Sequence, residues 1–510
     1  MKKLKELTRE EKAKLNIITS LLAQVSTLLC GFVIPRLMIS YYGSESYGAV
    51  SSISQFLGYI TLFEGGVCGV ARAALYKPLA EENYYRVGQI TKETSIFFKK
   101  IAYFFLIYVL CLAATFKYIS QVECFDFIST FLLVIAISIS TIAQYLFGIT
   151  NFVFLQAAQK AYITNIATIF TIITNTVITI ILVCSGFNII VVKLVSSIVF
   201  VAKPVVYSLY IKKNYSIPAT KRDPSVLSQK WDALGQHIAY FLHSNTDIVI
   251  LTIFSGLKSV AVYSVYNMII SSLQNLVYSF SNGMEALFGD MQAKNELPLL
   301  RKRFSYFSTL LSLISIIIFS VAAVLIVPFV RLYTRGFNDA NYAQPIFSVV
   351  LSVAACIFCC RLPYHAIIIA SGRFKQTRWG SYGEAIINIT SSVLLVKLLG
   401  LTGVAIGTVL ACAFRFIYYA IYLKDHIIKT SLLIFIKRNI VNILSFCLVL
   451  FVGNFFISKY TISSYFEWIV VAIVICLVSS FIVGLINLFF FKDETVEVFQ
   501  SILGRFIRRN

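Results

Sequence analysis

The sequence predicts an all-α polytopic membrane protein of about 14 transmembrane helices, a number set by how many apolar runs reach roughly 20 residues. Three observations predict this class. Apolar runs of spanning length recur from end to end, too long and too continuous for barrel strands, which alternate at period two. Lys and Arg collect in every second gap between them, the bias that orients membrane helices. Of 510 residues, 58% are hydrophobic and only 13% charged, whereas a soluble domain averages about 25% charged.

The elements follow in order. Met1 to Leu15 is polar and basic, with Lys2, Lys3, Lys5, Arg9, Lys12 and Lys14. The first span runs from Asn16 to Ser40 and the second from Gly48 to Ala71. A basic loop carrying Arg72, Lys77, Arg86, Lys92, Lys99 and Lys100 precedes the third, Ile101 to Phe116. Phe127–Thr150, Ala161–Ser185 and Asn188–Ile211 complete the first six. Residues 212–232 hold Pro218, Pro224 and five basic residues, and read as a cytoplasmic linker. The next six are Ala233–Phe254, Val260–Leu287, Phe304–Leu332, Gln344–Ala370, Thr377–Leu398 and Thr402–Leu423. Ile440–Ile457 and Phe466–Phe491 are two additional helices within residues 425–491. Residues 492–510 form an amphipathic tail, with Phe499, Ile502, Leu503 and Phe506 on one helical face, suited to an interface. The domain reading is thus 1–211, a first six-helix bundle; 212–232, the linker; and 233–424, a second bundle, before the two extra helices and the tail. The loop charges put both termini in the cytoplasm.

The net charge of +21 lies mostly in short loops. It marks topology and contact with anionic lipid rather than nucleic-acid binding, which needs a basic domain with stacking platforms outside the bilayer. The 11 cysteines lie almost wholly in apolar runs and read as small packing residues. Cys359 and Cys360 are adjacent and lack metal-site spacing, so no metal and no cofactor is expected. Without a phosphate-binding Gly-rich loop, ATP hydrolysis is not expected either.

One offset, 213 residues, pairs Gly43 with Gly256, Ser46 with Ser259, Lys160 with Arg373, Thr164 with Thr377, and Asn175 with Asn388. Six helices separate the copies, so both begin on the same side of the membrane. Two parallel six-helix bundles forming a central cleft are therefore expected, a geometry suited to alternating access.

The Tyr41-Tyr42-Gly43-Ser44-Glu45-Ser46-Tyr47-Gly48 stretch resembles the opening of Wzx-type O-antigen and capsular polysaccharide flippases. Phe63-Glu64-Gly65-Gly66 with Ala71-Arg72, Asp247-Ile248-Val249-Ile250-Leu251, and Ala370-Ser371-Gly372-Arg373-Phe374-Lys375 resemble further signatures of the same family. It is the polysaccharide branch of the multidrug/oligosaccharidyl-lipid/polysaccharide exporter superfamily. The resemblance implies a bacterial inner-membrane flippase, not an enzyme. The implied cargo is undecaprenyl-pyrophosphate-linked oligosaccharide, and the implied partners are a polysaccharide polymerase and a chain-length regulator. Two alternatives share the fold: a lipid II flippase, also moving a lipid pyrophosphate, and a cation-coupled multidrug antiporter, which would want an acidic cleft. A membrane glycosyltransferase would want a large extramembrane loop with catalytic carboxylates, and none is present.

Ionisable residues at mid-membrane cost several kcal/mol unless paired or hydrated, so they are the site candidates. Lys203, Arg361 and Arg415 fall near span centres, and Arg36 nearer an end. As a substrate-binding set they would hold an anionic pyrophosphate, for which the guanidinium fork is suited. Asp247, His243, Glu64 and Glu384 would serve ion coupling or structural pairing. His243 and Asp247 stand one helical turn apart, as do Arg361 and His365, and Glu384 and Asn388. Structural ion pairs between these carboxylates and the basic set are the competing reading. Gly65/Gly69 and Gly403/Gly407 read as close helix contacts.

Overall fold

A computed structural model describes residues 9–218, 220–227, 245–281, 284–429, 431–460 and 462–507. Every element among them is helical. They are α1 (Arg9–Gly58), α2 (Leu62–Ala80), α3 (Tyr84–Ser120), α4 (Phe127–Ala143), α5 (Ile149–Ala157), α6 (Ala161–Cys184), α7 (Ile189–Asn214), α8 (Asp247–Phe254) and α9 (Leu257–Ser281). Then come α10 (Met284–Ala293), α11 (Leu297–Tyr333), α12 (Pro345–Cys360), α13 (Leu362–Ala370), α14 (Phe374–Leu399), α15 (Leu401–His426), α16 (Leu432–Ile457), α17 (Tyr465–Phe490) and α18 (Lys492–Ile507).

Twelve helical runs among the described residues are long and apolar enough to cross a bilayer. The roughly 14 expected differ for two reasons. The expected first span and the first half of the second run together in α1, which is interrupted at Gly43, while the rest of the second continues through residues 59–61 into α2, and most of the expected seventh span lies outside the described residues. The protein is a multi-pass membrane protein, and its surface agrees. Phe451, Phe466 and Phe489 are 74%, 75% and 83% exposed; side chains this large and apolar are stable in the open only against acyl chains.

The basic loop expected between the second and third spans is a correction. It is helical except for a turn at 81–83, because α2 and α3 both project past their apolar segments. Asn83 caps α3 by accepting from the Arg86 N–H at 3.0 Å, which fixes the start of the helix 17 residues ahead of Ile101.

The chain divides into two compact units, Met1–Ala261 and Val262–Asn510. In the first, Ile53, Leu57, Phe98, Phe105, Phe116, Leu133 and Tyr145 form one buried cluster. A second surrounds Leu75, Ile90, Phe154 and Tyr207. α8 stays with this unit through side chains of α1: Gln55 Nε2 donates to Asn245 Oδ1 at 2.8 Å, and the Ser52 and Thr252 hydroxyls lie 2.7 Å apart. In the second unit α11 is the most enclosed helix. α17 packs along it, with Val324, Leu325 and Ile475 buried together and Trp468 Nε1 donating to the Leu325 carbonyl at 3.1 Å. The α18 tail is partly docked on the protein, since Thr495 and Val498 are fully buried.

The 213-residue offset is visible in the backbone. α3 and α11 are both 37 residues long and begin 213 apart, and α5 and α13 match at both ends. Apart from Lys429, the described residues with left-handed φ form two series, Gly43, Glu82, Gln121, Gln159, Gly186 and Gly256, Asn295, Gly336, Gly372, Gly400. The first, second and fourth pairs keep the same offset, and the others differ from it by one or two residues. A left-handed residue closes a helix, because its turn redirects the chain while satisfying the last carbonyls. The two copies therefore turn at the same places even where their side chains differ.

Gly43 makes the sharpest of these turns, with φ 81° and ψ 166°, a region essentially restricted to glycine. Gly43→Ala should lower stability by about 1–3 kcal/mol from backbone strain alone. Melting of the purified variant in detergent checks this; an unchanged transition would show that α1 can run straight through.

Candidate functional site

The second unit contains a buried cluster of three charges. Pro363 starts it. A proline ring has no N–H and clashes with the carbonyl one turn back, so the helix breaks at Arg361, between α12 and α13. In the first unit the same register point carries a π-turn, Gln144–Gly148, between α4 and α5.

α14 and α15 then approach very closely. A Cβ on Gly407 would stand 2.2 Å from Ser392 Oγ, and one on Gly403 would stand 2.3 Å from the Leu395 carbonyl oxygen. Gly380 and Gly383 receive the rings of Tyr418 and Phe414 in the same way. This contact brings Glu384 of α14 within reach of Arg415 of α15. The pairing of Gly403 with Gly407 is thus a helix contact as expected. Gly69 is a correction, for nothing lies within 4 Å of where its Cβ would be.

Arg361, Glu384 and Arg415 are 6%, 4% and 8% exposed. Arg361 Nη1 donates to Glu384 Oε1, and Arg415 Nη1 donates to Glu384 Oε2 at 3.0 Å. Arg415 Nη2 donates to the Tyr419 hydroxyl. The guanidinium of Arg361 lies 4.9 Å from the Phe358 ring centre, and that of Arg415 4.5 Å from the Tyr419 ring. The His365 and Tyr419 rings are 5.9 Å apart. Arg415 Nε makes no hydrogen bond among the described residues. One carboxylate serves two guanidiniums, so the cluster retains one positive charge.

The structure therefore places both arginines on Glu384 rather than leaving them open, which is the paired arrangement that competed with free anion binding. The reason is burial: once the guanidiniums are enclosed, leaving them without a carboxylate would strand uncompensated buried charge, which costs about 3–5 kcal/mol.

The remaining candidates lie in the first unit or outside the described residues. Lys203 is half-buried on α7, with its ammonium 5.0 Å from the Phe200 ring centre. Arg36 is exposed on α1, directly after Pro35. Asp247 opens α8 and is 8% exposed, near Tyr59. His243 lies outside the described residues. Glu64 sits on α2, one and two turns before Cys68 and Arg72, and its carboxyl approaches the Tyr145 hydroxyl of the π-turn without closing a hydrogen bond. Sequence reasoning missed Tyr145 and Tyr419. A tyrosine in an apolar run carries no signal of its own. The signal for Tyr419 was its position one turn after Arg415.

Around residues 215–227 the first unit carries a second charged assembly. Arg222 grips Glu93 with both ends of its fork, Nε to Oε1 at 2.9 Å and Nη2 to Oε2 at 3.1 Å. Arg86 donates to Asp223 at 2.5 Å, and Lys92 to the Thr220 carbonyl at 2.6 Å. Hydrogen bonds from Ser225, then from Arg86, hold the Asp223 carboxyl below the usual carboxylate range. Residues 220–223 of the segment expected as a linker are therefore strapped along α3; residues 219 and 228–232 of it lie outside the described residues.

No protein-family model matches the chain, and no curated protein matches it. Solved structures do. One titled as the lipid II flippase MurJ in an inward closed conformation is 14% identical with a TM-score of 0.66, covering 91% of this chain and 98% of its own. An inward-facing multidrug resistance MATE family transporter of the MOP superfamily is 14% identical with a TM-score of 0.60, covering 80% and 96%. A MATE crystal structure in complex with MaL6 is 14% identical with a TM-score of 0.53, covering 82% and 98%. At these identities the likeness is one of fold, and the fold of this chain is the one shared by those flippase and transporter structures.

Proposed function

We propose that the chain is a flippase that carries undecaprenyl-pyrophosphate-linked oligosaccharide units across the bacterial inner membrane by alternating access, for O-antigen, capsule or exopolysaccharide synthesis. The observation that carries the reading is the buried positive charge left on the Arg361–Glu384–Arg415 cluster. A site for organic cations would carry the opposite sign, because like charges in a low-dielectric interior repel strongly. The likeness in fold to a lipid II flippase across 91% of the chain supports a lipid-linked cargo. The backbone repeat supports two parallel six-helix bundles, and Asn175 and Asn388 support it further. Asn175 Oδ1 accepts from Ser196 on the next helix at 2.6 Å, while Asn388 Nδ2 donates to Thr408 on its next helix at 3.2 Å. The polymerase and chain-length regulator remain partners implied by the sequence resemblance.

In this reading Arg361 and Arg415 favour an anionic headgroup through the field of the cluster, with Glu384 holding both in place. No bond is made or broken in the cargo, so the chain is a transporter and not an enzyme. Lipid II transport is a second reading, favoured by the MurJ-like fold. Expression in a strain lacking its own repeat-unit flippase should restore surface polysaccharide. Expression in a strain depleted of its lipid II flippase should not restore growth. Growth rescue without polysaccharide rescue would replace the first reading by the second.

A further inference from the structure

A cavity of about 470 Å³ opens in the first unit, between the start of α3, the π-turn with α5, the end of α7, and the strap residues Ile217, Pro218 and Thr220. Its polar lining includes Lys92, Lys99, Ser95, Asn151, Ser208 and Thr220. Among the described residues no carboxylate lines it: nearby Glu93 is held by Arg222, and Asp223 by Arg86. Lys92 spends one of its three donors on the Thr220 carbonyl. Lys99 makes no ion pair or hydrogen bond among the described residues. Thr220 is 7% exposed, yet its hydroxyl has no partner there. A buried hydroxyl without a partner costs about 1–3 kcal/mol, so this one awaits a ligand. Gly88 lets the strap close over the cavity, since a Cβ there would stand 2.8 Å from Thr220 Cγ2 and 2.9 Å from the Pro218 carbonyl.

The level of the cavity selects the ligand. The apolar run of α3 starts at Ile101, so Lys99 stands at the polar edge of the span and Lys92 about 10 Å beyond it, at 1.5 Å per residue. Phe147 also lines the cavity and is 62% exposed. Two ammonium groups and several hydroxyls therefore sit at headgroup depth, beside an apolar ring at acyl-chain depth. Basic pockets between membrane helices are suited to anionic lipid headgroups. We propose that this cavity binds the phosphodiester headgroup of an anionic phospholipid, with Lys92, Lys99 and the Thr220 hydroxyl as donors and Phe147 against the acyl chain. A choline headgroup would place its own cation against the two lysines and is disfavoured.

Native mass spectrometry of the purified full chain tests this, with phosphatidylglycerol, phosphatidylcholine and inorganic phosphate titrated separately. One phosphatidylglycerol should bind in preference to phosphatidylcholine by about tenfold, the scale of one charge-assisted contact. Lys92→Gln with Lys99→Gln should remove that preference. Removing the same charge outside the cavity, by Lys212→Gln with Lys213→Gln, should leave it. Lys99→Gln alone disturbs no contact of the fold and should still weaken binding several-fold, as should Thr220→Val. Equal binding of the two lipids, equal loss in the Lys212/Lys213 control, or full retention in Lys99→Gln would overturn the proposal. So would inorganic phosphate binding as tightly as phosphatidylglycerol, which would make the cavity a site for soluble anions.

Discussion

Replacing Glu384 by Gln should be among the most damaging single changes in the protein. The carboxylate is the shared acceptor of Arg361 and Arg415, and all three groups are more than nine-tenths buried. Gln keeps the shape and removes the charge, leaving two guanidiniums facing each other in the second unit. Breaking a buried ion pair by removing one partner costs about 3–5 kcal/mol, and here one removal leaves two cations. Thermal unfolding in detergent should shift far downward, with reduced abundance in the membrane. A triple variant separates stability from transport: Arg361→Met, Glu384→Gln and Arg415→Met together remove every charge of the cluster. Apolar replacement of a buried ion cluster is often neutral or stabilising, so the triple variant should fold well while failing to restore surface polysaccharide. Full rescue by a stable triple variant would reduce the cluster to a helix clamp and sink its role in cargo selection.

The second large effect is steric and reaches the same cluster indirectly. Gly407→Val should part α14 from α15. A Cβ at position 407 would stand 2.2 Å from Ser392 Oγ and 2.8 Å from the Ser392 backbone nitrogen. The hydroxyl can rotate away, but the backbone nitrogen cannot. Overpacking of this kind costs about 1–3 kcal/mol, and occasionally more. The separation should also pull Arg415 from Glu384, adding part of the ion-pair penalty. The expected result is a loss of stability greater than overpacking alone. It should shrink when Gly407→Val is combined with the charge-free triple variant, because no pair remains to break. Strict additivity of the two sets would show that the helix contact and the charge cluster are independent.

Much of this protein was legible without its structure. Apolar run length and Lys/Arg placement depend only on the bilayer's thickness and polarity, and they gave the helical class and most spans. The repeat was visible in scattered identities such as Gly43/Gly256, because a turn that needs a left-handed backbone constrains residue choice locally. The same local logic failed between Arg72 and Lys100, where charge suggested a loop and helix capping by Asn83 prevailed. What the sequence by itself determined was therefore class, rhythm, and the identity of the costly intramembrane charges. Which charges meet was decided only by tertiary structure. Arg361 stands at the break between α12 and α13, Glu384 on α14 and Arg415 on α15, and their pairing follows from a proline break and a glycine-lined crossing. The strap at residues 220–223 is of the same kind: it reads as part of a basic linker until α3 is seen to supply Arg86, Glu93 and Lys92 as its partners. Such pairings depend on distances between chain-remote side chains, which composition and periodicity do not encode.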